Sequence, residues 1–208
     1  MGGDTLKQFL PLAGKPVLVH TIERFAAALL GAQIIAALPE AQIPRWNGIA
    51  REHGIEGRHI VCVGGPTRFD SVRNAIALLE ECDLVGIHDG VRPLVSKELI
   101  LRSFDVAARA GTAIPVTEPT DSFRVVDAAG SLPFDRGMLR AVQTPQVFRR
   151  DLLTAAYQTP YDPRFTDDAS VVEHSGVELT LCAGERENIK VTTPADLIFA
   201  EALLAAGR

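Results

Sequence analysis

Covalent and metal staples are scarce in this chain. It has three cysteines, Cys62, Cys82 and Cys182, an odd number set far apart and without CxxC spacing. Such usage argues against a disulfide framework or a zinc site and fits core thiols in a reducing cytosol. Positive charge is not in excess either. Against 26 acidic residues stand 21 basic ones, a net charge of −5, so the chain lacks the basic footprint of a nucleic-acid binder and any anion must be held by a local site. No apolar run approaches the roughly 18 residues that span a bilayer, and no charged, apolar, small-residue signal segment opens the chain. A cytoplasmic protein with neither a nucleic-acid nor a membrane partner is expected. The five histidines show no HExxH spacing, and GxSxG, GxxxxGK[ST] and GxGxxG are all missing. These absences argue against zinc peptidases, serine hydrolases, P-loop kinases and Rossmann dehydrogenases.

What is present is enough for one core. With 208 residues, 47% hydrophobic and 23% charged, the chain matches a single globular domain. Apolar residues spaced by three and four predict a helix over 15–30, with Pro16 where it begins, and AQIIAAL (32–38) reads as a buried strand. The alternation continues with a helix over 43–54, a strand over 59–63, a helix near 69–79, a strand over 84–88, a helix near 97–110 and a strand over 112–116. Between 117 and 143 it breaks, and SFRVVD and SLPFDR read as a hairpin arm around a turn containing Gly130. Helices over 150–158 and 167–176, strands over 177–183 and 189–191, and a last helix over 193–207 complete the chain. The expectation is an α/β fold: a mainly parallel sheet flanked by helices, with a projecting hairpin.

In such sheets ligands bind outside the carboxyl ends of the strands. After the strand over 59–63 comes Gly64-Gly65-Pro66-Thr67-Arg68-Phe69-Asp70-Ser71, where glycines admit a ligand to the backbone and Ser71 can donate to an anion at a helix start; a tight turn with a helix cap is the competing reading. After the strand over 84–88 comes Asp89-Gly90-Val91-Arg92-Pro93. A carboxylate beside an arginine suits a triphosphate with its Mg²⁺, and equally a local ion pair bracing the loop. His88, next to it, reads as a packing or hydrogen-bonding residue in preference to a base. Lys7, Lys190 and Arg136 gain weight only collectively. Asp167-Asp168 resembles a metal pair, but Thr166 as a helix cap with acids in the first turn makes it structural.

Read in order, KQFLPLAGKPVLVHTIERF, GGPTRFDSVRNAI, HDGVRP, FDRGMLRAVQTPQVFR, TDDASVVE and NIKVTTPADLIFAE resemble the 2-C-methyl-D-erythritol 4-phosphate cytidylyltransferases of the non-mevalonate isoprenoid pathway, from Leu6 to about Leu204. The resemblance implies a nucleotidyltransferase-type fold, Mg²⁺-dependent transfer of CMP from CTP to a sugar-alcohol phosphate, and a homodimer whose hairpin arms swap. By position it assigns Lys7 to charge stabilisation at the α-phosphate. Gly2, Gly3, Gly64, Gly65, Ser71, Asp89 and Gly90 fall to the nucleotide, with Asp89 nearest the metal. Asp89, Arg92, Ser122, Arg136, Thr144 and Lys190 fall to the acceptor side, Arg136 and Lys190 holding the attacking phosphate. Ser122 and Arg136 would then reach the neighbouring subunit's site.

The chain departs from the family pattern at Leu6, at Gly90-Val91 and at Ser122-Phe123-Arg124. Ribitol 5-phosphate is therefore the alternative acceptor, and a nucleotide-binding dimerisation module without catalysis is the alternative of another class. The family's first strand and the front of its glycine-rich loop have no counterpart before Met1-Gly2-Gly3, so the natural protein is expected to begin about 20 residues earlier. On that expectation the domain spans 1–208 with its first strand missing.

Overall fold

The computed structural model describes residues 6–128 and 130–207. A 3-10 turn, Lys7–Phe9, leads to a ribbon of β1 (Pro11–Leu12) and β2 (Lys15–Pro16), which reverses through Ala13 and Gly14 at positive φ. Next come α1 (Val17–Ala28), β3 (Ile35–Leu38), α2 (Ile43–Glu52), β4 (Ile60–Val63) and α3 (Arg68–Ile76). They are followed by β5 (Leu84–Ile87), α4 (Lys97–Ala110) and β6 (Thr112–Thr117). The hairpin strands β7 (Phe123–Asp127) and β8 (Gly130–Phe134) precede β9 (Ala141–Val142), β10 (Gln146–Arg149), α5 (Arg150–Ala156), α6 (Asp168–His174), β11 (Leu181–Ala183) and α7 (Pro194–Ala205).

The helix-flanked α/β layering is as expected, but the sheet is mixed instead of mainly parallel. β3 pairs with β4 in parallel, and β11 with β6 likewise. The larger sheet runs β11-β6-β10-β5, with β9 on β6, and β10 is antiparallel to both of its neighbours. The reason lies in the connection. A parallel return needs a crossover of a dozen or more residues, usually a helix, as α4 supplies between β5 and β6. From β6 to β10 no α-helix intervenes among the described residues, only the hairpin and a 3-10 turn, Arg136–Met138, so the chain goes out through the hairpin and comes back. β10 thus wedges between two strands that point the same way.

Two other expectations change. Only Leu181–Ala183 of the strand expected over 177–183 joins the sheet. The segment 189–191 forms no strand; Val191 N–H donates to the Val91 carbonyl at 2.8 Å.

The core is divided among several clusters. Trp46, Leu38, Val19 and Ile22 pack α1 and α2 with β3, and Phe9 is stacked on Trp46 at 5.8 Å. On the larger sheet, Phe148 and Ile114 pack with Leu153 of α5 and Val172 of α6, and Val147 and Ala113 with Ala107 of α4. β10 contributes Val147 and Phe148, both fully buried, so one short strand serves both the core and, at its start, the cleft described next. The β7–β8 hairpin has every described residue exposed, including Val125, Val126 and Leu132.

Candidate functional site

The carboxyl end of β5 turns sharply, the Arg92 N–H closing on the Asp89 carbonyl at 2.9 Å. This turn puts the Asp89 and Arg92 side chains together. Arg92 Nε lies 3.1 Å from Asp89 Oδ2, and Lys190 Nζ reaches the same oxygen at 3.1 Å. Arg68 Nε stands 3.9 Å from Oδ1. One carboxylate therefore meets three cations from three separate segments. Burial pushes its carboxyl up, but Lys190 and then Arg68 and Arg92 outweigh that and hold it below the usual carboxylate value.

Each arginine is fastened from behind. Arg92 Nη1 donates to the Asn188 carbonyl at 2.7 Å, which sets the segment carrying Lys190. Arg68, the first residue of α3, grips Asp168 through two hydrogen bonds of 2.8 and 2.5 Å, and the Tyr157 hydroxyl donates to the same carboxylate at 2.6 Å. Asp168 is wholly buried, a site where an unpaired charge would be costly. The helix cap is Asp167, not Thr166: it accepts from Ser170 N–H in a capping box and takes a hydrogen bond from Gln146 Nε2 at 2.7 Å. The acidic pair is structural as expected, but its second member also holds a cation of the cleft.

The cleft, about 230 Å³, is lined by Arg68, Asp89, Arg92, Thr144, Gln146 and Lys190 among others. Thr144 enters from the segment before β10, and its hydroxyl accepts from Asp89 N–H at 3.1 Å and meets His88 Nδ1 at 3.0 Å. Burial pushes the His88 imidazole down to about 4, so at neutral pH it is uncharged. Gly90 leaves room for α1: a Cβ there would meet Leu18 Cδ1 at 3.0 Å.

The Gly64-Gly65 loop approaches from β4. Gly64 N–H donates to the Leu38 carbonyl at 2.8 Å and Gly65 N–H to Ser71 Oγ at 3.0 Å. A Cβ on Gly65 would fall 2.3 Å from that of Asp70, which excludes any side chain. Ser71 was expected to donate to an anion; instead its proton goes to the Thr67 carbonyl at 2.9 Å, so the hydroxyl shapes the loop. Thr67 caps α3 through Asp70 N–H.

Asp89, Arg92, Thr144 and Lys190 thus converge as expected. Lys7 is exposed on its 3-10 turn and does not line the cleft. Ser122 and Arg136 are exposed at the base of the hairpin, Arg136 donating to the Thr120 carbonyl. Gly2 and Gly3 lie outside the described residues. Sequence reasoning passed over Arg68, Gln146 and Asn188. Arg68 carried a signal, a cation at a helix start beside a glycine pair; nothing local marked Asn188 or Gln146.

Among the described residues no group of three or more His, Cys, Asp or Glu could hold a metal ion. Asp89 offers one carboxylate, already compensated by cations. That fits Mg²⁺ arriving with a polyphosphate, since Mg²⁺ binds through one or two carboxylates together with substrate phosphates, and does not fit a resident all-protein cage. No helix among the described residues is long and apolar enough to cross a membrane.

An α/β layer with cations gathered around one acid at the carboxyl end of a strand is an anion-handling enzyme scaffold. The 2-C-methyl-D-erythritol 4-phosphate cytidylyltransferase family matches over residues 1–206, and the chain belongs to that family. It is 48% identical over 204 residues to the enzyme of that name from Bacteroides fragilis, covering 98% of this chain and 93% of the relative. With the one from Porphyromonas gingivalis it shares 45% over 207 residues, 99% of this chain and 92% of the relative. The crystal structure of the Thermus thermophilus enzyme of the same name aligns with a TM-score of 0.81 at 31% identity, over 96% of this chain and 93% of that one.

Proposed function

We propose that this cleft transfers CMP from CTP to 2-C-methyl-D-erythritol 4-phosphate, releasing pyrophosphate and forming 4-diphosphocytidyl-2-C-methyl-D-erythritol for isoprenoid biosynthesis. The observation that carries the reading is Asp89 held among Arg68, Arg92 and Lys190. The acceptor phosphate oxygen forms the new bond to the α-phosphorus of CTP, and the bond to the bridging oxygen breaks as pyrophosphate leaves. The nucleophile is already ionised at neutral pH, so no strong base is needed. Two anions must instead be aligned and their repulsion cancelled.

In this reading Gly64, Gly65 and Gly90 let the nucleotide approach the backbone, with Ser71 holding that loop. Arg92, Thr144 and Lys190 face the acceptor, and Lys7 offsets charge at the α-phosphate. Mg²⁺, when bound with CTP, would be held by Asp89 and would neutralise phosphate charge.

The β7–β8 hairpin within 117–143 is proposed to mediate a homodimer by swapping across the interface. Val126 is 75% exposed, Leu132 71% and Met138 76%, and a two-stranded hairpin with an uncovered apolar surface is marginal in water by itself. Swapping would carry Ser122 and Arg136 to the partner's cleft. The described cysteines are all free, in keeping with a cytoplasmic setting.

Pyrophosphate release from CTP and Mg²⁺ with each acceptor tests the reading. Turnover with methylerythritol phosphate supports it. Turnover confined to ribitol 5-phosphate overturns the acceptor, and CTP binding without any turnover overturns the enzyme.

A further inference from the structure

His88 sits between two partners of opposite demand. Its Nε2 lies 3.1 Å from the Arg92 carbonyl oxygen, which can only accept. Nε2 must therefore carry the proton, and in a neutral imidazole the other nitrogen is then bare. The Thr144 hydroxyl, 3.0 Å from Nδ1, has to donate to it. The Phe25 ring, its centroid 4.9 Å from that of the imidazole, packs against His88.

That fixes the polarity of Thr144. A hydroxyl has one proton and two lone pairs. The proton goes to His88, and one lone pair takes Asp89 N–H at 3.1 Å. What is left for the cleft, which Thr144 lines, is a single lone pair. A phosphate oxygen, having no proton, would meet it lone pair to lone pair, whereas an alcohol hydroxyl would donate to it. Cations for the phosphate are supplied elsewhere in the same cleft by Lys190, Arg92 and Arg68.

We infer that His88 is a positioning residue which, locked as the Nε2–H tautomer, makes Thr144 a pure acceptor and so a reader of a hydroxyl on the acceptor's carbon chain, not of its phosphate. The inference deepens the transferase reading and rests on it for the identity of the alcohol, but the polarity of Thr144 does not depend on turnover.

Three measurements test it on the intact chain. Ring ¹⁵N shifts of His88 at neutral pH should show a protonated Nε2 and a bare Nδ1; a protonated Nδ1 overturns the inference whatever the enzyme does. Titration with phosphate-free methylerythritol and, separately, with inorganic phosphate should find Thr144→Val weakening the polyol about 10-fold, the scale of one lost hydrogen bond, and sparing phosphate. The reverse pattern, or equal loss of both, overturns it. Finally, His88→Asn keeps an acceptor at the Nδ1 position, while His88→Gln keeps a donor toward Arg92 and loses that acceptor. Asn should preserve the acceptor KM and Gln should raise it about 10-fold with little change in the KM for CTP. Equal behaviour of the two overturns the assignment. Failure of the wild type to turn over methylerythritol phosphate would sink the transferase reading alone, leaving the first two measurements to decide the inference.

Discussion

Asp168 holds Arg68 from beneath the cleft through paired hydrogen bonds of 2.8 and 2.5 Å, with Tyr157 completing the carboxylate. The acid is wholly buried and the guanidinium reaches the cleft, so fold and site share one ion pair. Removing one partner of a buried pair costs about 3–5 kcal/mol, because the other charge stays behind. Arg68→Ala should destabilise the chain in urea unfolding by less than that range, since the arginine side chain is 38% exposed, and weaken acceptor binding. Arg68→Leu combined with Asp168→Leu should recover much of the stability and none of the binding.

Lys190→Ala removes one of the cations on Asp89. Steady-state turnover should fall at least about 100-fold, the scale for losing a charge-stabilising donor. Lys7→Ala should do the same if that lysine serves the α-phosphate. Rates near wild type in both variants would remove the proposed charge-cancelling mechanism.

Gly65→Ala drives a methyl to within 2.3 Å of the Asp70 Cβ, a clash with the first turn of α3 that no side-chain rotation relieves. Overpacking of this kind costs about 1–3 kcal/mol. Calorimetric titration should show weaker CTP binding beyond the stability loss. Gly64→Ala, which would meet the Ser71 hydroxyl at 3.1 Å, should be milder.

At the start of α7, hydrogen bonds from Thr192 N–H and Thr193 N–H pull the Asp196 carboxyl down to about 2. Its folded value lies below the ordinary 3.8, so its contribution is complete above about pH 4 and is lost as pH falls through about 2. Acid unfolding of Asp196→Asn should therefore approach that of the parent below about pH 2. At pH 7 Thr193→Ala should cost about 1 kcal/mol, the usual value of a helix cap.

A chain defective at Lys7 mixed with one defective at Arg136 tests the swapped hairpin. Regained activity on mixing is expected, as is dissociation in sedimentation when Val126 and Leu132 are both made glutamate. A fully active monomer would exclude the arrangement.

Periodicity made α1 legible in the sequence, because it presents a repeating face to the core, and continuous apolar runs marked strands such as β3 and β6. β10 was not legible: Gln146–Arg149 carries only two apolar residues, Val147 and Phe148, between polar ones, and its direction follows from a connection whose course only the whole fold defines. Asp89, Arg92 and Lys190 could be singled out because charge at a strand end or inside an apolar stretch is locally anomalous. Arg68 and Asp168 form their pair 100 positions apart, a relation that no local spacing carries.

The wedged strand also dictates when the cleft can exist. Gln146 pairs with Ile87 and Val147 with Ala113, so β10 joins strands made long before it, and pairings over such sequence distances are slow to close. A nascent chain halted before Gln146 leaves β5 and β6 apart, with Asp89 on one side and Thr144 not yet anchored. Because Thr144 and Lys190 both follow α1, α2, α3 and α4 in the chain, the cleft can be completed only after those four helices have been synthesised.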